Sequence, residues 1–241
     1  MLSAMIPPQP FLLSAGLKRS SVESFDTYPF NLPAITGLQQ IDFPRPVTFF
    51  VGENGAGKST LLEAIAVKWG FNAEGGSRNY RFATRASHSS LHQHLSLARC
   101  YRKPRDGFFL RAESFYNLAT AAEQLGAFHG LHEQSHGESF MTMLTERFTG
   151  HGLYLLDEPE AGLSPSRQMA MLVRMHDLVK TGSQFIIATH SPILMTYPGA
   201  TVLIFDQDGI REGAYHETEH YLISRRFLEN PARMLAELLD D

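Results

Sequence analysis

The sequence predicts an α/β fold in which buried strands and helices alternate around a central sheet. First, a short apolar run, 47–51, leads through a glycine-rich segment directly into a helix-forming stretch, 61–67. Second, the apolar runs 152–156 and 184–187 each end in polar side chains. Runs of this kind are typical of buried parallel strands, whose carboxyl ends meet at one edge of a sheet and form the ligand site there.

The glycine-rich segment matches a phosphate-binding loop, G-x-x-x-x-G-K-[ST], at every fixed position. The loop consists of Gly52, Glu53, Asn54, Gly55, Ala56, Gly57, Lys58, Ser59 and Thr60. Its glycines let backbone N–H groups curl around phosphate, and the following helix N-terminus adds partial positive charge. We expect Lys58 to reach the β- and γ-phosphates of a nucleoside triphosphate and the Ser59 hydroxyl to ligate Mg²⁺. The strand before the loop and the helix after it disfavour a chance glycine-rich turn.

Two adjacent carboxylates, Asp157 and Glu158, end the run 152–156. A buried strand would deliver both acids to the edge of the sheet that carries the loop. Asp157 is predicted to hold Mg²⁺ directly or through water, and Glu158 to polarise an attacking water as general base. The alternative is a strand that simply ends in a solvated acidic turn, which the phosphate loop argues against.

His190 follows the run 184–187. At the end of a core strand it would donate a hydrogen bond to the γ-phosphate. A lone histidine there is more often structural, but three strand ends that converge on one site favour the functional interpretation.

In this order, the lysine loop, the Asp157–Glu158 pair and His190 resemble the ATP-binding cassette (ABC) ATPases, including the Rad50/SMC/RecF branch. The amino-acid sequence of the motifs 157–165 and 189–192 resembles that of small stand-alone ATPases of the AAA type. The resemblance covers essentially the whole chain. It implies a P-loop NTPase head with a mixed central sheet flanked by helices, as a single domain over 1–241, with a helical insert and signature region at about 71–150.

The same resemblance implies hydrolysis of ATP with Mg²⁺ by a homodimer that forms head to tail around ATP and drives a protein partner or a nucleic-acid process. In that family a Ser-Gly-Gly signature precedes the Asp-Glu strand. Here Ser135 and Gly137 retain its hydroxyl and backbone N–H, while His136 replaces a glycine and Glu138 the usual glutamine. An ordinary helix cap is the alternative.

Two further roles are implied by the family. A polar residue after an early strand, usually glutamine, senses Mg²⁺ and γ-phosphate, and Glu113 and Ser114 are the candidates here. An upstream aromatic residue often stacks on adenine. Tyr28 and Phe30 are candidates for it, with packing against a strand as the alternative.

Composition is that expected of a cytoplasmic enzyme. At 241 residues the chain suffices for one large α/β domain. Its single cysteine, Cys100, excludes an internal disulfide framework and fits a reducing compartment. We expect no signal peptide, because the N-terminus lacks a basic start and a long apolar centre. We expect no membrane span, because no stretch approaches 18 consecutive apolar residues. The net charge of −4 argues against a globally basic nucleic-acid binder.

One segment, 78–105, departs from this charge balance, because it contains seven Arg or Lys residues and no acidic residue. It would contact nucleic acid through phosphates, or form a subdomain face or a solvated surface. Its histidines, His88, His92 and His94, have no cysteine or carboxylate to complete a metal site, so none is expected there.

The remaining elements follow from periodicity and turn signals. We expect helices at about 59–69, 115–125, 164–180 and 231–239, a strand at 108–112, and a hairpin formed by 201–205 and 211–215 around the turn 206–209. In the helix 164–180, the face predicted to be buried carries Met169, Leu172, Val173, His176 and Val179. The acids Asp206, Asp208 and Glu212 are assigned to the hairpin rather than to a nuclease site.

Three other functions stay open at this stage. A nucleotide-gated regulatory module would bind ATP and hydrolyse little of it. A transporter ATPase subunit would need a membrane partner, and the residues at His136, Glu138 and Ser164 count against it. A small-substrate kinase is disfavoured because the paired acids and the histidine favour water as the acceptor.

Overall fold

The computed structural model describes residues 9–77, 89–111 and 136–239, which form an α/β fold. The strands are β1 (Leu12–Leu17), β2 (Gln40–Asp42), β3 (Val47–Gly52), β4 (Gly76–Ser77), β5 (Leu95–Arg99), β6 (Asp106–Arg111), β7 (Gly152–Asp157), β8 (Gln184–Ala188), β9 (Thr201–Asp206) and β10 (Gly209–Gly213). The helices are α1 (Pro33–Thr36), α2 (Lys58–Trp69), α3 (Leu91–His94), α4 (His136–Glu146), α5 (Pro165–Lys180), α6 (Glu219–Glu229) and α7 (Pro231–Leu239).

The central sheet has seven strands in the order β10-β9-β3-β8-β7-β6-β4. The five inner strands are parallel, and an antiparallel strand closes each edge. Alternate side chains enter cores on opposite faces. On β3, Phe49 joins the core that contains α4 and α5, and Phe50 joins the core that contains α2. The mixed sheet flanked by helices confirms the predicted fold class.

A second sheet, β2-β1-β5, is antiparallel and lies on the α2 side of the molecule. One buried side chain clips it to the central sheet. The Gln184 amide oxygen accepts hydrogen bonds from the backbone N–H groups of Phe11 and Leu12, both at 2.8 Å, and its amide nitrogen donates to the Leu12 carbonyl at 2.9 Å. A polar residue at the start of a core strand therefore satisfies three backbone groups that would otherwise be buried without partners.

The helix expected at 164–180 is confirmed as α5, and Ser164 caps it by accepting the N–H of Arg167 at 3.4 Å. The buried face predicted for it is wrong in part. Met171, Met175 and Leu178 are the buried residues, whereas Met169 and Val173 are 55% and 65% exposed. The helix carries two apolar stripes of helical spacing, and docking against the sheet, rather than periodicity, selects between them.

Other expected elements are confirmed, some of them with shifted ends. The phosphate-loop helix is α2, the strand at 108–112 is β6, and the C-terminal helix is α7. The hairpin is β9–β10, in which Gly209 pairs with Asp206, so its second strand begins earlier than residue 211. The helix expected at 115–125 lies outside the described residues. In the described part of 71–150, strands β4, β5 and β6 accompany helices α3 and α4.

No helix among residues 9–77, 89–111 and 136–239 combines the length and the apolar composition needed to cross a membrane.

Replacing Gln184 with Met should lower the free energy of unfolding by about 2–5 kcal/mol, because the backbone groups of residues 11 and 12 lose their buried partner. Urea denaturation followed by circular dichroism measures this change. The matched control is Gln93→Met at an exposed position, for which we expect a change within about 0.5 kcal/mol. A Gln184→Met midpoint equal to the wild-type value would contradict the structural role of the clip.

Candidate active site

The loop between β3 and α2 has a backbone that only glycine accommodates well. Gly52, Gly55 and Gly57 have φ values of 153°, 81° and 96°. At Gly52 a Cβ atom would lie 2.1 Å from the carbonyl oxygen of Phe205 on β9, whereas a Cβ at Gly55 would meet no atom within 4 Å. The loop is therefore pressed against the sheet at its start and open at its tip.

Lys58 is the first residue of α2 and is only 4% exposed. Its Nζ donates hydrogen bonds across the loop to the carbonyl oxygens of Gly52 at 2.7 Å and Glu53 at 2.9 Å. Burial lowers the pKa of the Lys58 ammonium group, and the nearby carboxylates, Glu158 and Asp157 foremost, oppose that shift. A cation is thus held inside the loop, where a phosphate would contact it.

Ser59 and Asp157 meet beside this lysine. The Ser59 hydroxyl donates to Asp157 Oδ1 at 2.8 Å, and Asp157 is the buried last residue of β7. On the neighbouring strand, Arg111 lies in register with Asp157, with Nε 3.9 Å from Oδ2, and also pairs with Glu63 at 2.5 Å. A hydroxyl and a carboxylate provide the hard oxygen ligands that Mg²⁺ prefers. Because the two groups lie close together, the Ser59–Asp157 pair fits that ion.

Glu158 follows β7 in a left-handed backbone conformation, with φ 50° and ψ 51°. Its N–H donates to the Ala188 carbonyl at 2.9 Å, and this bond fixes the turn against the end of β8. The carboxylate is 42% exposed, with Oε1 3.5 Å from Nε2 of His190. A non-glycine residue pays strain of about 1–2 kcal/mol in this conformation, and such strain is concentrated at functional sites.

His190 is held from two sides. Its backbone N–H donates to Glu160 Oε1 at 2.6 Å, and its Nδ1 lies 2.7 Å from Nε2 of His220. Burial is the main cause that lowers the pKa of the His190 imidazole, and Lys58 and His220 lower it further. The ring is therefore neutral at pH 7 and carries a single hydrogen.

Sequence reasoning missed Glu160 and His220 as parts of this site. Burial raises the pKa of the Glu160 carboxyl, and the N–H of His190 that donates to it partly offsets the shift. The available signal for His220 was a polar cluster, 217–220, directly after the hairpin. Nothing in that cluster identified the partner 30 residues earlier.

The signature region is described only from residue 136 onwards, so Ser135 lies outside the described residues. Gly137, in the first turn of α4, packs so closely that a Cβ would lie 2.5 Å from the Gly162 carbonyl oxygen. Glu138 pairs with Arg167 of α5 at 2.9 Å. The start of α4 is thus fastened to the turn Pro159–Gly162 that follows the paired acids.

The two aromatic candidates differ in environment. Tyr28 is 63% exposed, and its hydroxyl lies 3.3 Å from the Thr60 Oγ1 at the end of the phosphate loop. Phe30 is buried at 7% exposure and packs edge-on against His94. Phe30 therefore has the packing role that the sequence left open, and Tyr28 borders the loop. Glu113 and Ser114 lie outside the described residues.

The basic segment is described from residue 89. Arg99 stacks over Trp69 at 4.4 Å and donates to the Lys68 carbonyl at 2.9 Å, so it has a structural role. The loop between β5 and β6 exposes Tyr101, Lys103 and Arg105. In the described part of the chain no group of three or more His, Cys, Asp or Glu residues is arranged to hold a metal ion.

A cavity of about 510 Å³ opens beside the phosphate loop. Its walls are the loop residues 51–56, the end of β9 and the segment 217–220. Charged side chains from Glu53, Asp206 and Arg211 line it.

A buried lysine in a strand–loop–helix unit, a serine–aspartate pair and the acid and histidine at neighbouring strand ends define a P-loop nucleoside triphosphatase. Two family models match the chain, "AAA domain" over residues 23–115 and "AAA domain, putative AbiEii toxin, Type IV TA system" over residues 125–196. Both models describe AAA domains, and they support the resemblance of this chain to the AAA/ABC-type ATPases.

Curated relatives include transporter components. The cobalt import ATP-binding protein CbiO of Salmonella typhimurium is 29% identical over 182 residues, which cover 66% of this chain and 67% of CbiO. ABC transporter G family member STR2 of Medicago truncatula is 25% identical over 174 residues, which cover 61% of this chain but only 24% of STR2.

Solved structures of similar fold have low sequence identity to this chain. The cbiO1 subunit from Clostridium perfringens, part of the ABC transporter complex cbiONQ, is 17% identical with a TM-score of 0.49, covering 96% of this chain and 100% of that one. The SMC head domain from Thermotoga maritima is 16% identical with a TM-score of 0.46, covering 85% and 98%.

The Gly52→Ala variant should lose about 3–5 kcal/mol of unfolding free energy, because its methyl group would overlap the Phe205 carbonyl and its backbone would be strained. Thermal and urea unfolding measure the loss. Gly55→Ala in the same loop is the matched control, since it suffers backbone strain without a steric overlap and should lose only about 1–2 kcal/mol. Equal losses in both variants would argue against the close approach at Gly52.

Proposed function

We propose that this protein binds ATP with Mg²⁺, hydrolyses the γ-phosphate, and dimerises head to tail around the nucleotide. The observation that carries the proposal is the convergence of Lys58, the Ser59–Asp157 pair, Glu158 and His190 at one edge of the sheet. Each group has the chemistry that one part of phosphoryl transfer to water requires.

The loop and Lys58 would bind the triphosphate. Backbone N–H groups of the loop and the N-terminus of α2 would bind its anionic oxygens, and the Lys58 ammonium group, now bonded to two loop carbonyls, would exchange them for phosphate. Bound through Ser59 Oγ and Asp157, Mg²⁺ would neutralise charge on the β- and γ-phosphates. Tyr28 is proposed to stack on adenine, since it is exposed beside Thr60.

Glu158 and His190 would serve the chemical step. The Glu158 carboxylate takes a proton from the attacking water as the water oxygen bonds to the γ-phosphorus and the bond to the β–γ bridging oxygen breaks. His190 donates a hydrogen bond to the γ-phosphate oxygens as their charge redistributes. The 3.5 Å separation between Glu158 Oε1 and His190 Nε2 supports their action on one phosphate group.

A second copy would complete the site. In this proposal its residues 135–139, with Ser135 and Gly137, cover the γ-phosphate. The close contact of Gly137 with Gly162 and the Glu138–Arg167 pair support a rigid unit of α4 and the turn 159–162, which would approach the other copy as one surface. Closure on ATP and release after hydrolysis would then act on a protein or nucleic-acid partner.

A second candidate is the ATPase subunit of a membrane transporter, and the similarity to CbiO favours it. Such a subunit needs a membrane protein as its partner. Turnover and dimerisation by the purified chain alone would favour the first candidate. Turnover that appears only with a co-purified membrane protein would favour the second.

Nucleic acid is proposed as a partner for the segment 78–105. The exposed Tyr101, Lys103 and Arg105 between β5 and β6 support this assignment, because cations next to an aromatic ring suit phosphates and bases.

Glu158→Gln should reduce kcat for ATP by about 10²- to 10⁴-fold, because the amide cannot accept the proton of the attacking water. ATP binding should persist, and the variant should accumulate as a dimer in ATP. Phosphate release and light scattering measure the two effects. Glu146→Gln, at an exposed position on α4, is the matched control and should turn over ATP at the wild-type rate.

Lys58→Ala tests the role of the lysine in ATP binding. It should weaken ATP binding by about 10- to 100-fold, because charge-assisted hydrogen bonds to phosphate are lost. Undiminished affinity would contradict the role given to Lys58. Wild-type turnover no faster than that of Glu158→Gln, with binding intact, would identify a nucleotide-gated module instead of an ATPase.

The double variant Lys103→Ala, Arg105→Ala should bind duplex DNA more weakly. The negative slope of log affinity against log salt should become shallower by about 2, since two phosphate contacts disappear. Fluorescence anisotropy over a salt series measures both quantities. Lys180→Ala, an exposed lysine on α5, is the control and should leave the slope unchanged. A slope of zero for the wild-type protein would reject nucleic acid as a partner of this segment.

A further inference from the structure

The C-terminal segment reaches the active site through one side chain. His220, the second residue of α6, places its Nε2 2.7 Å from Nδ1 of His190. The two ring centroids are 4.8 Å apart, with the planes inclined at 61°, and the His220 side chain is only 18% exposed. The two ring nitrogens are therefore hydrogen-bonded to each other in a partly buried environment.

The segment that carries His220 is also anchored independently. Thr218 is buried, and its hydroxyl lies 2.6 Å from the Tyr215 carbonyl oxygen and 3.2 Å from the Met195 sulfur. Met195 belongs to the turn that follows His190 along the chain. Two contacts, at residues 218 and 220, thus hold this segment against the stretch 190–195, so the histidine pair is part of a built interface.

A hydrogen bond between two neutral imidazole rings contains one hydrogen. The ring that donates it determines whether Nε2 of His190, which faces the site, is an N–H donor or a lone-pair acceptor. If His190 donates from Nδ1, its Nε2 is a lone pair that faces the Glu158 carboxylate oxygen at 3.5 Å, with two acceptors opposed. If His220 donates, His190 keeps its hydrogen on Nε2 and directs it towards that carboxylate. Electrostatics favours the second arrangement.

The other charged groups around the pair agree with this assignment. The carboxylate of Glu53 in the phosphate loop lies 3.9 Å from Nε2 of His220 and favours a hydrogen there. Lys58 from α2 disfavours a second proton on His190, as does His220, while Glu158 and Glu53 favour one. Burial outweighs them and lowers the pKa of His190, so the ring remains neutral.

His190 Nε2 is buried and makes no hydrogen bond among the described residues, although the Glu158 carboxylate is close. A buried N–H without an acceptor is costly and rare in native proteins. A γ-phosphate oxygen placed between Glu158 and His190 would supply that acceptor.

We propose that His220 is a positioning residue, which donates from Nε2 to Nδ1 of His190 and so fixes His190 as the Nε2–H tautomer that faces the transferred phosphate. The inference rests on the proposed ATPase function, since the phosphate contact of His190 is part of it. It makes the first turn of α6 a component of the catalytic site.

The test uses the full chain labelled with ¹⁵N, and NMR of the histidine ring nitrogens at pH 7.5 without nucleotide. His190 should have a protonated Nε2 and an unprotonated Nδ1. His220→Leu should give a mixture of both tautomers and lower kcat for ATP about five- to tenfold, with unchanged affinity for a fluorescent ATP analogue, because one hydrogen bond is lost. His220→Gln, whose amide N–H can donate from a similar position, should restore both the tautomer and the rate.

His216→Leu removes an exposed histidine from the same segment and serves as the matched control, with tautomer and rate as in the wild-type protein. Hydrogen on Nδ1 of wild-type His190 would overturn the proposal, as would a His220→Leu variant with unchanged tautomer or unchanged kcat. Thermal unfolding identifies a variant that fails to fold, and the Gln variant then carries the test. If the wild-type chain hydrolyses no ATP, the proposed function fails, and the ring-nitrogen spectra still decide the tautomer assignment.

Discussion

Two backbone hydrogen bonds beyond the ends of the sheet ladders hold the candidate active site together. The N–H of Glu158 donates to the Ala188 carbonyl at 2.9 Å, and the N–H of Thr189 donates to the Phe50 carbonyl at 3.0 Å. They fasten the ends of β7, β8 and β3 at one level, so that residues from three distant parts of the sequence share one edge. The placement of the paired acids, the histidine and the phosphate loop depends on this alignment.

Charge is concentrated at that edge to an extent unusual for a protein interior. Lys58, Asp157 and Glu63 are each less than 9% exposed. Each charge has partners within the cluster: Lys58 on the loop carbonyls, Asp157 on Ser59 and Arg111, and Glu63 on Arg111. Removal of one member leaves another buried charge without compensation, which costs more than the pair contributes. The concentrated charge at the site therefore produces a strong electrostatic field but lowers folding stability, as is common in active sites.

Local sequence patterns predicted the parts of this site that depend on local geometry. A phosphate loop needs glycines and a lysine at fixed spacing, and the strand that ends in two acids is visible within the seven residues 152–158. The face of α5 was beyond such reasoning, because Met169 with Val173 and Met171 with Met175 have the same helical spacing. Only the sheet against which the helix docks separates the two stripes.

Long-range polar contacts were also out of reach. Nothing near Gln184 in the sequence indicates that its amide satisfies the backbone of residues 11 and 12, and nothing near His220 indicates His190. Hydrogen bonds of this kind follow from tertiary placement, and periodicity has no signal for them. Phe30 and Tyr28 differ only by two residues in sequence, and the path of the chain decides which of them is buried.

The Gln184 clip also has a consequence for the order in which the chain becomes structured. Phe11 and Leu12 find their amide partner 173 and 172 residues later in the sequence. During synthesis on the ribosome these backbone groups stay with water until residue 184 has emerged, and closing so long a loop carries a high entropic cost. Contacts of such separation slow folding. The start of β1 is therefore synthesised early, whereas its hydrogen bonds to Gln184 form late.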